Sequence, residues 1–333
     1  MRLALFLVGL ALALTACAGD DAASTSPEVE QLASQIAEAG ANSVIVFLSD
    51  GGREYVATAG SPRPDADQRF RIGSVTKTLT AAIVLQLVAE EKLGLADPLG
   101  AHVPGLTPAV RKITVRQLLN HTSGLANFTD YGGWLEQARN SDSTRPIDAL
   151  RYAASQPLVF EPGSRHGYSN TNYTALGLVI EKVTGSTYGE QLSERILGPL
   201  RLDSMELATT RRLPDLDDRG ENPNLPWAAG SIVSDAQDVG SFFSALLSGD
   251  VLSDDSLALM KETVPQGAVG AAGLGIFEVD LPCGAVWTHS GGIVDYLTVV
   301  GSSEDGGRVV VVSLRGQPSG QLPDEQTLLC AGS

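Results

Sequence analysis

Phe70-Arg71-Ile72-Gly73-Ser74-Val75-Thr76-Lys77 opens a segment, Val75 to Leu95, that is apolar on nearly every face and is broken by Lys77, Gln86, Glu90, Glu91 and Lys92. A helix apolar all round belongs in a protein interior. Ser74 and Lys77, three residues apart, share one helix face about a turn apart and within hydrogen-bonding reach. A serine at a helix N-terminus sits beside unpaired backbone N–H groups that stabilise a developing oxyanion. A lysine held in an apolar helix loses hydration, which lowers its pKa and eases proton exchange with the serine. The bland alternatives are a helix cap for Ser74 and a snorkelling surface residue for Lys77.

Outward from this helix, Val44–Leu48 and Glu54–Thr58 flank Asp50-Gly51-Gly52, a hairpin pattern, and Pro27–Ala39 has helical spacing. Residues 97–226 carry helical patterns at Arg116–Asn120, Ile147–Ala154, Tyr173–Thr184 and Tyr188–Ile196, joined by Gly/Pro/Asn loops. An amphipathic helix follows from Asp235 to Leu247, then strands at Leu274–Val279, Ala285–Thr288, Tyr296–Gly301 and Val309–Leu314. Strands at both chain ends predict an α+β fold: one antiparallel sheet assembled from the termini, flanked by helices, with an all-helical lobe inserted. The cleft between lobes is the expected site.

The sequence has 333 residues, 43% hydrophobic and 19% charged, a globular composition large enough for a substantial core. A formal charge of −16 disfavours nucleic acid as a partner. Four histidines, with no His-Glu-x-x-His and no Cys-x-x-Cys, give a metal little to bind, and no cofactor is implied. Arg2 precedes an apolar run, Leu3–Leu14, too short to span a bilayer and of signal-peptide length. Leu14-Thr15-Ala16-Cys17 resembles a bacterial lipobox, so residues 1–16 are expected to be removed and Cys17 lipidated. Residues 17–27 would form the tether of an extracytoplasmic protein held to the membrane by its lipid alone. If Cys17 is lipidated, Cys283 and Cys330 remain as a disulfide pair or as two buried thiols.

Two further patterns raise the specificity of Ser74-x-x-Lys77. Tyr168-Ser169-Asn170 is the only Tyr-x-Asn, and His289-Ser290-Gly291-Gly292 lies beside the Tyr296 strand. No Gly-x-Ser-x-Gly elbow and no phosphate-binding loop occur. With these three motifs in order, and with Leu118-Leu119-Asn120-His121-Thr122-Ser123-Gly124-Leu125 and Ala228-Ala229-Gly230-Ser231, the chain resembles the serine β-lactamase and penicillin-binding protein superfamily. The similar branch holds class C β-lactamases, secreted D-alanyl-D-alanine carboxypeptidases and family VIII carboxylesterases.

The resemblance implies a β-lactamase/transpeptidase-like fold over residues 28–333, with an α/β lobe at 28–96 and 227–333 and a helical lobe at 97–226. It implies Ser74 as an acyl-forming nucleophile, Lys77 and Tyr168 sharing proton transfer with the base unassigned, and Asn170 holding Lys77 and substrate. His289 would donate across the cleft, Ser74 and Gly292 N–H groups would form the oxyanion hole, and Ser290 would contact substrate. His121 reads as a loop-fixing hydrogen bonder, and Trp227 as cleft wall or core in equal measure. The Cys283 and Cys330 positions resemble the disulfide of the carboxypeptidase subgroup. The expected activity is D-alanyl-D-alanine carboxypeptidase-like hydrolysis of cell-wall stem peptides, with β-lactams as acylating ligands. The alternatives are a family VIII-like esterase, a weak β-lactamase, or a non-catalytic penicillin-recognising lipoprotein. Where that subgroup anchors a carboxylate with Arg and Thr, this chain has Phe277 and Gly292, leaving Arg315 as the nearby cation.

Overall fold

The computed structural model describes residues 26–213, 216, 222–266, 270–316 and 318–330. The expected signal peptide and Cys17 lie outside them. Helix α1 (Pro27–Glu38) starts on a proline and buries a single stripe, Val29, Leu32, Ala33 and Ile36. That stripe covers Val44, Val46 and Leu48 of strand β1 (Ser43–Asp50), while Ile45 and Phe47 face the main core on the other side. Both faces of β1 are thus dry, which is why its sequence is a continuous apolar run rather than an alternating one.

Strand β2 (Arg53–Gly60) returns along β1 through the Gly51-Gly52 turn. Two-residue strand β3 (Phe70–Arg71) joins β4 (Glu206–Leu207) and β5 (Ile232–Ser234) in a small second sheet that no sequence pattern announces. The remaining strands are β6 (Val264–Pro265), β7 (Ala271–Ala272), β8 (Phe277–Leu281), β9 (Gly284–Ile293), β10 (Tyr296–Ser302) and β11 (Arg308–Arg315). They complete an eight-stranded antiparallel sheet in the order β2-β1-β11-β10-β9-β8-β7-β6, so the N-terminal hairpin docks on the last strand of the chain. The fold is the α+β arrangement expected, with residues 99–200 supplying helices between the two sets of strands.

A 3₁₀ turn at Gly73–Val75 leads into helix α2 (Thr76–Ala89), which runs through the core with Leu79, Ile83, Val84 and Leu87 fully buried. It ends six residues before the apolar pattern does. Glu91 takes a left-handed conformation (φ 57°), the Lys92 N–H donates to Leu87 O at 3.0 Å, and Glu90 is held by Arg195 at 2.5 Å. The charged run therefore forms a C-terminal turn, and Leu93 is buried beyond it. The strand expected at Leu274–Val279 begins instead at Phe277, because Gly275 has φ +83° and the Leu274 N–H donates to Met260 O. Strand β9 runs five residues past the expected Thr288, carrying the whole His289 motif in regular pairing with β10.

Cys283, in the β8–β9 turn, is bridged to Cys330 at the end of the Glu325–Leu329 helix, with Cα atoms 5.9 Å apart. The bridge closes a sequence separation of 47, which by loop-closure entropy constrains the unfolded chain by about 4 kcal/mol. The double variant Cys283→Ser/Cys330→Ser is therefore expected to show a clearly lower urea midpoint; a midpoint equal to wild type would show that the bridge adds no stability.

Candidate active site

Ser74 lies in the 3₁₀ turn just before α2, its backbone pressed against β9. The approach is close enough to demand glycine on both sides. A Cβ on Gly291 would meet Ile72 O and stand 2.7 Å from Ser74 N, and one on Gly73, itself at φ +52°, would stand 3.1 Å from Gly292 N. The backbone nitrogens of Ser74 and Gly292 are thereby held on neighbouring segments, the arrangement an oxyanion hole requires.

One turn along, Lys77 is completely buried. Its Nζ donates to Asn170 Oδ1 at 2.8 Å and to Ala229 O at 2.7 Å, and it lies 3.0 Å from Ser74 Oγ. Among the described residues no carboxylate pairs with it, and burial pushes its pKa well below the usual lysine value. The two fixed acceptors take two N–H bonds. A neutral amine then presents its lone pair to the Ser74 hydroxyl.

Asn170 is the first residue of the Asn170–Thr184 helix, set by its backbone N–H on Asn127 Oδ1 (3.1 Å) and its Nδ2 near Thr129 Oγ1 (3.4 Å). Tyr168 sits two residues earlier at the cleft edge, its hydroxyl near enough to Ser74 to feel that side chain. Although the residue as a whole is 38% exposed, burial around its hydroxyl pushes the phenol up to about 12. The Tyr168 ring stacks on His121 at 4.4 Å between centroids, with Lys77 Nζ 5.0 Å from its centre. At neutral pH the phenol is thus protonated, whereas burial moves Lys77 toward its neutral, basic form.

His121 is buried with φ 57°, and its Nδ1 accepts from the Ser169 N–H at 3.2 Å and faces Asn172 Nδ2 at 3.1 Å. It fixes the Tyr168 loop. His289 departs from expectation. Its Nδ1 lies 2.8 Å from Ser290 O, so that nitrogen carries the proton; Nε2 is left as a buried acceptor without a partner among the described residues. Burial, followed by the Lys77 charge, lowers its pKa to about 3, so the ring is neutral and its free nitrogen accepts rather than donates.

Two openings flank these groups. A cavity of about 360 Å³ is lined by Ser74, Asn170, Gly292, Phe128, Leu225 and Pro226, and a groove of about 520 Å³ begins at Tyr168, His289 and Ser290. Trp227 lines neither. Its ring packs on Tyr188 (5.4 Å) and against Gly177, which makes it core support, and Pro226 takes the wall position. Arg315 is bound to Asp295 at 2.9 Å and lies over the Tyr296 ring. The Ala229 carbonyl is the participant that sequence motifs do not reveal, because its contribution is a backbone atom placed by Thr80 Oγ1, which donates to Ala228 O at 2.7 Å.

A family model described as Beta-lactamase matches residues 29–329. A D-stereospecific amidohydrolase from Streptomyces sp. is 33% identical, with a TM-score of 0.80 over 90% of this chain and 96% of that one. D-amino acid amidase from Ochrobactrum anthropi SV3 has a TM-score of 0.75 at 24% identity, over 86% of this chain and 90% of that one, a likeness of fold. Protein Rv1367c of Mycobacterium tuberculosis is 32% identical over 247 residues, 61% of each chain, so the match spans about three-fifths of that curated relative.

If Lys77 is the base, the rate at which a fluorophosphonate labels Ser74 rises with pH through a midpoint well below 10.5, because the depressed pKa of Lys77 leaves the active neutral form dominant above it. Lys77→Arg, always charged, should lose about 10³-fold or more. A labelling rate independent of Lys77 would remove it from the proton path.

Proposed function

The chain belongs to the Beta-lactamase family, and on that premise we propose that it is a serine hydrolase that cleaves uncharged D-aminoacyl amides and esters through an acyl-enzyme on Ser74. The reading is carried by the single network Ser74–Lys77–Asn170, with Tyr168 beside it at the cleft edge. Ser74 Oγ attacks the substrate carbonyl while Lys77 Nζ takes its proton. The oxyanion forms against the Ser74 and Gly292 N–H groups. The proton returns through the Tyr168 hydroxyl to the departing nitrogen or oxygen as its bond to the carbonyl carbon breaks. Water, deprotonated by the same groups, then attacks the Ser74 ester and releases the acid, restoring the hydroxyl.

D-stereospecificity is carried over from the Streptomyces amidohydrolase on 33% identity across nearly the whole of both chains. The carboxypeptidase reading asks for a cation at the substrate's terminal carboxylate. The groove beside Tyr168 carries Phe277 instead, packed 5.1 Å from the neutral His289 ring, and Arg315 is engaged by Asp295. A charge-assisted hydrogen bond is worth about 1.5–3 kcal/mol, so its loss lowers selectivity for free acids roughly 10- to 150-fold. The same reasoning applies to the carboxylate of a β-lactam. We further propose that the protein works outside the cytoplasm on a lipid at Cys17, a reading supported by the Leu14–Cys17 motif and by a disulfide that an oxidising compartment preserves.

The test compares kcat/KM for D- and L-phenylalaninamide, and for an acyl-D-Ala-D-Ala peptide against its C-terminal methyl ester, in wild type and Phe277→Arg. The expected result is turnover of the D-amide over the L-amide and of the ester over the free acid, with the Arg variant narrowing the second gap. Strong preference for the free acid in wild type would overturn the reading in favour of a carboxypeptidase.

A further inference from the structure

The groove that starts at Tyr168 and His289 continues along strands β8 to β10. Phe277 and Val279 of β8, Leu297 and Val299 of β10 and Leu328 of the C-terminal helix, all half-buried, give it an apolar stretch, with Gln266 and Thr288 as further uncharged polar lining. It crosses two strand spacings, roughly 10 Å. With His289 neutral, no lining residue carries a charge. A groove of about 520 Å³ with this lining is large for a departing ammonia or methanol.

The chemistry fixes which part of a substrate lies there. The acyl carbonyl must rest where the Ser74 and Gly292 nitrogens meet, which is the other cavity. The departing atom must lie beside the Tyr168 hydroxyl that protonates it, and Tyr168 lines the groove. One polar need is also unmet beside it: His289 Nε2, in a residue 2% exposed, is an acceptor with no partner among the described residues. A leaving group joined through an amide supplies the N–H that this nitrogen lacks, which an ester oxygen does not.

We propose that the groove is a leaving-group subsite for uncharged, apolar amines, so that the enzyme's preferred substrates are secondary amides of D-amino acids bearing an extended hydrocarbon chain on nitrogen. Phe277, Val279, Leu297, Val299 and Leu328 are its specificity-determining residues. The inference rests on the acyl-transfer reading above and adds the class of amine released. In the reaction the C–N bond breaks, the nitrogen takes the proton delivered through Tyr168, and the free alkylamine leaves along the sheet face.

The experiment measures kcat/KM for D-phenylalanine ethyl-, butyl- and hexylamide in wild type, Val299→Asp and Leu328→Asn, with fluorophosphonate labelling of Ser74 recorded for each protein. Burial of hydrocarbon predicts a gain of about fourfold per methylene in wild type. A charge at Val299 should cut that gain below about twofold, with Leu328→Asn intermediate. The labelling rate reports whether each variant is folded and its nucleophile competent. A flat or falling series in wild type, with Ser74 still labelled, overturns the subsite and leaves acyl transfer standing. Loss of both labelling and turnover in wild type overturns the acyl-transfer reading and the subsite with it.

Discussion

A lysine amine held in a dry interior by oxygen atoms alone is the constraint around which this protein is arranged. Bringing a charge into low dielectric without a counter-ion costs several kcal/mol even after relaxation, so Lys77 is tolerable there only with its hydrogen bonds complete or its proton gone. Its three neighbours come from three distant places: the turn before α2, the first residue of the Asn170–Thr184 helix and the turn at Trp227–Ala229. Holding them within 3.0 Å of one nitrogen fixes those segments relative to one another. Thr76 and Thr80 of the same helix reinforce the arrangement by bonding Ile232 N and Ala228 O. A pair of carboxylates would have satisfied the charge at less cost, and would also have kept the amine protonated and useless as a base.

The sheet contributes through distance rather than chemistry. β9 passes so close to the Ser74 turn that side chains at Gly73 and Gly291 would collide with backbone, and that contact is what holds two backbone nitrogens near one point. β9 is itself held by pairing to β10 from Trp287 to Ile293, and to β8 over Gly284–Thr288. The position of the oxyanion site is therefore set by packing of regular strands, the most rigid support a fold offers. Tyr168, by contrast, comes from a loop, and rigidity there is supplied by His121: its ring lies against the phenol and its Nδ1 takes the Ser169 N–H.

Much of this was legible in the amino-acid sequence because it follows from patterns of side chains. Val44–Leu48 and Glu54–Thr58 read as a hairpin about Asp50-Gly51-Gly52, and Ser74, Lys77, Tyr168 and Asn170 stand in motifs whose order implies one site. What stayed hidden follows from backbone. The Ala229 carbonyl has no side-chain signature; β3, β4, β6 and β7 are two residues each, too short for periodicity; and α2 stops at Ala89 because Glu91 adopts a left-handed turn that Gly or Asn would have advertised. Trp227 was evenly balanced between wall and core, and its contacts with Tyr188 and Gly177 depend on which face of a 3₁₀ turn looks inward.

The third motif shows how one substitution changes the chemistry of a whole surface. A lysine in place of His289 would carry charge into the groove mouth and favour anionic groups. The imidazole here gives its one proton to Ser290 O and stays neutral, its pKa lowered to about 3 chiefly by burial. Once His289 is neutral, an aromatic ring at Phe277 packs against it without stranding an ion, and the apolar residues behind it become continuous with the catalytic groups. A cation restored at either position would divide that surface in two, which is why the charge state of the motif and the polarity of the groove must be understood as one feature.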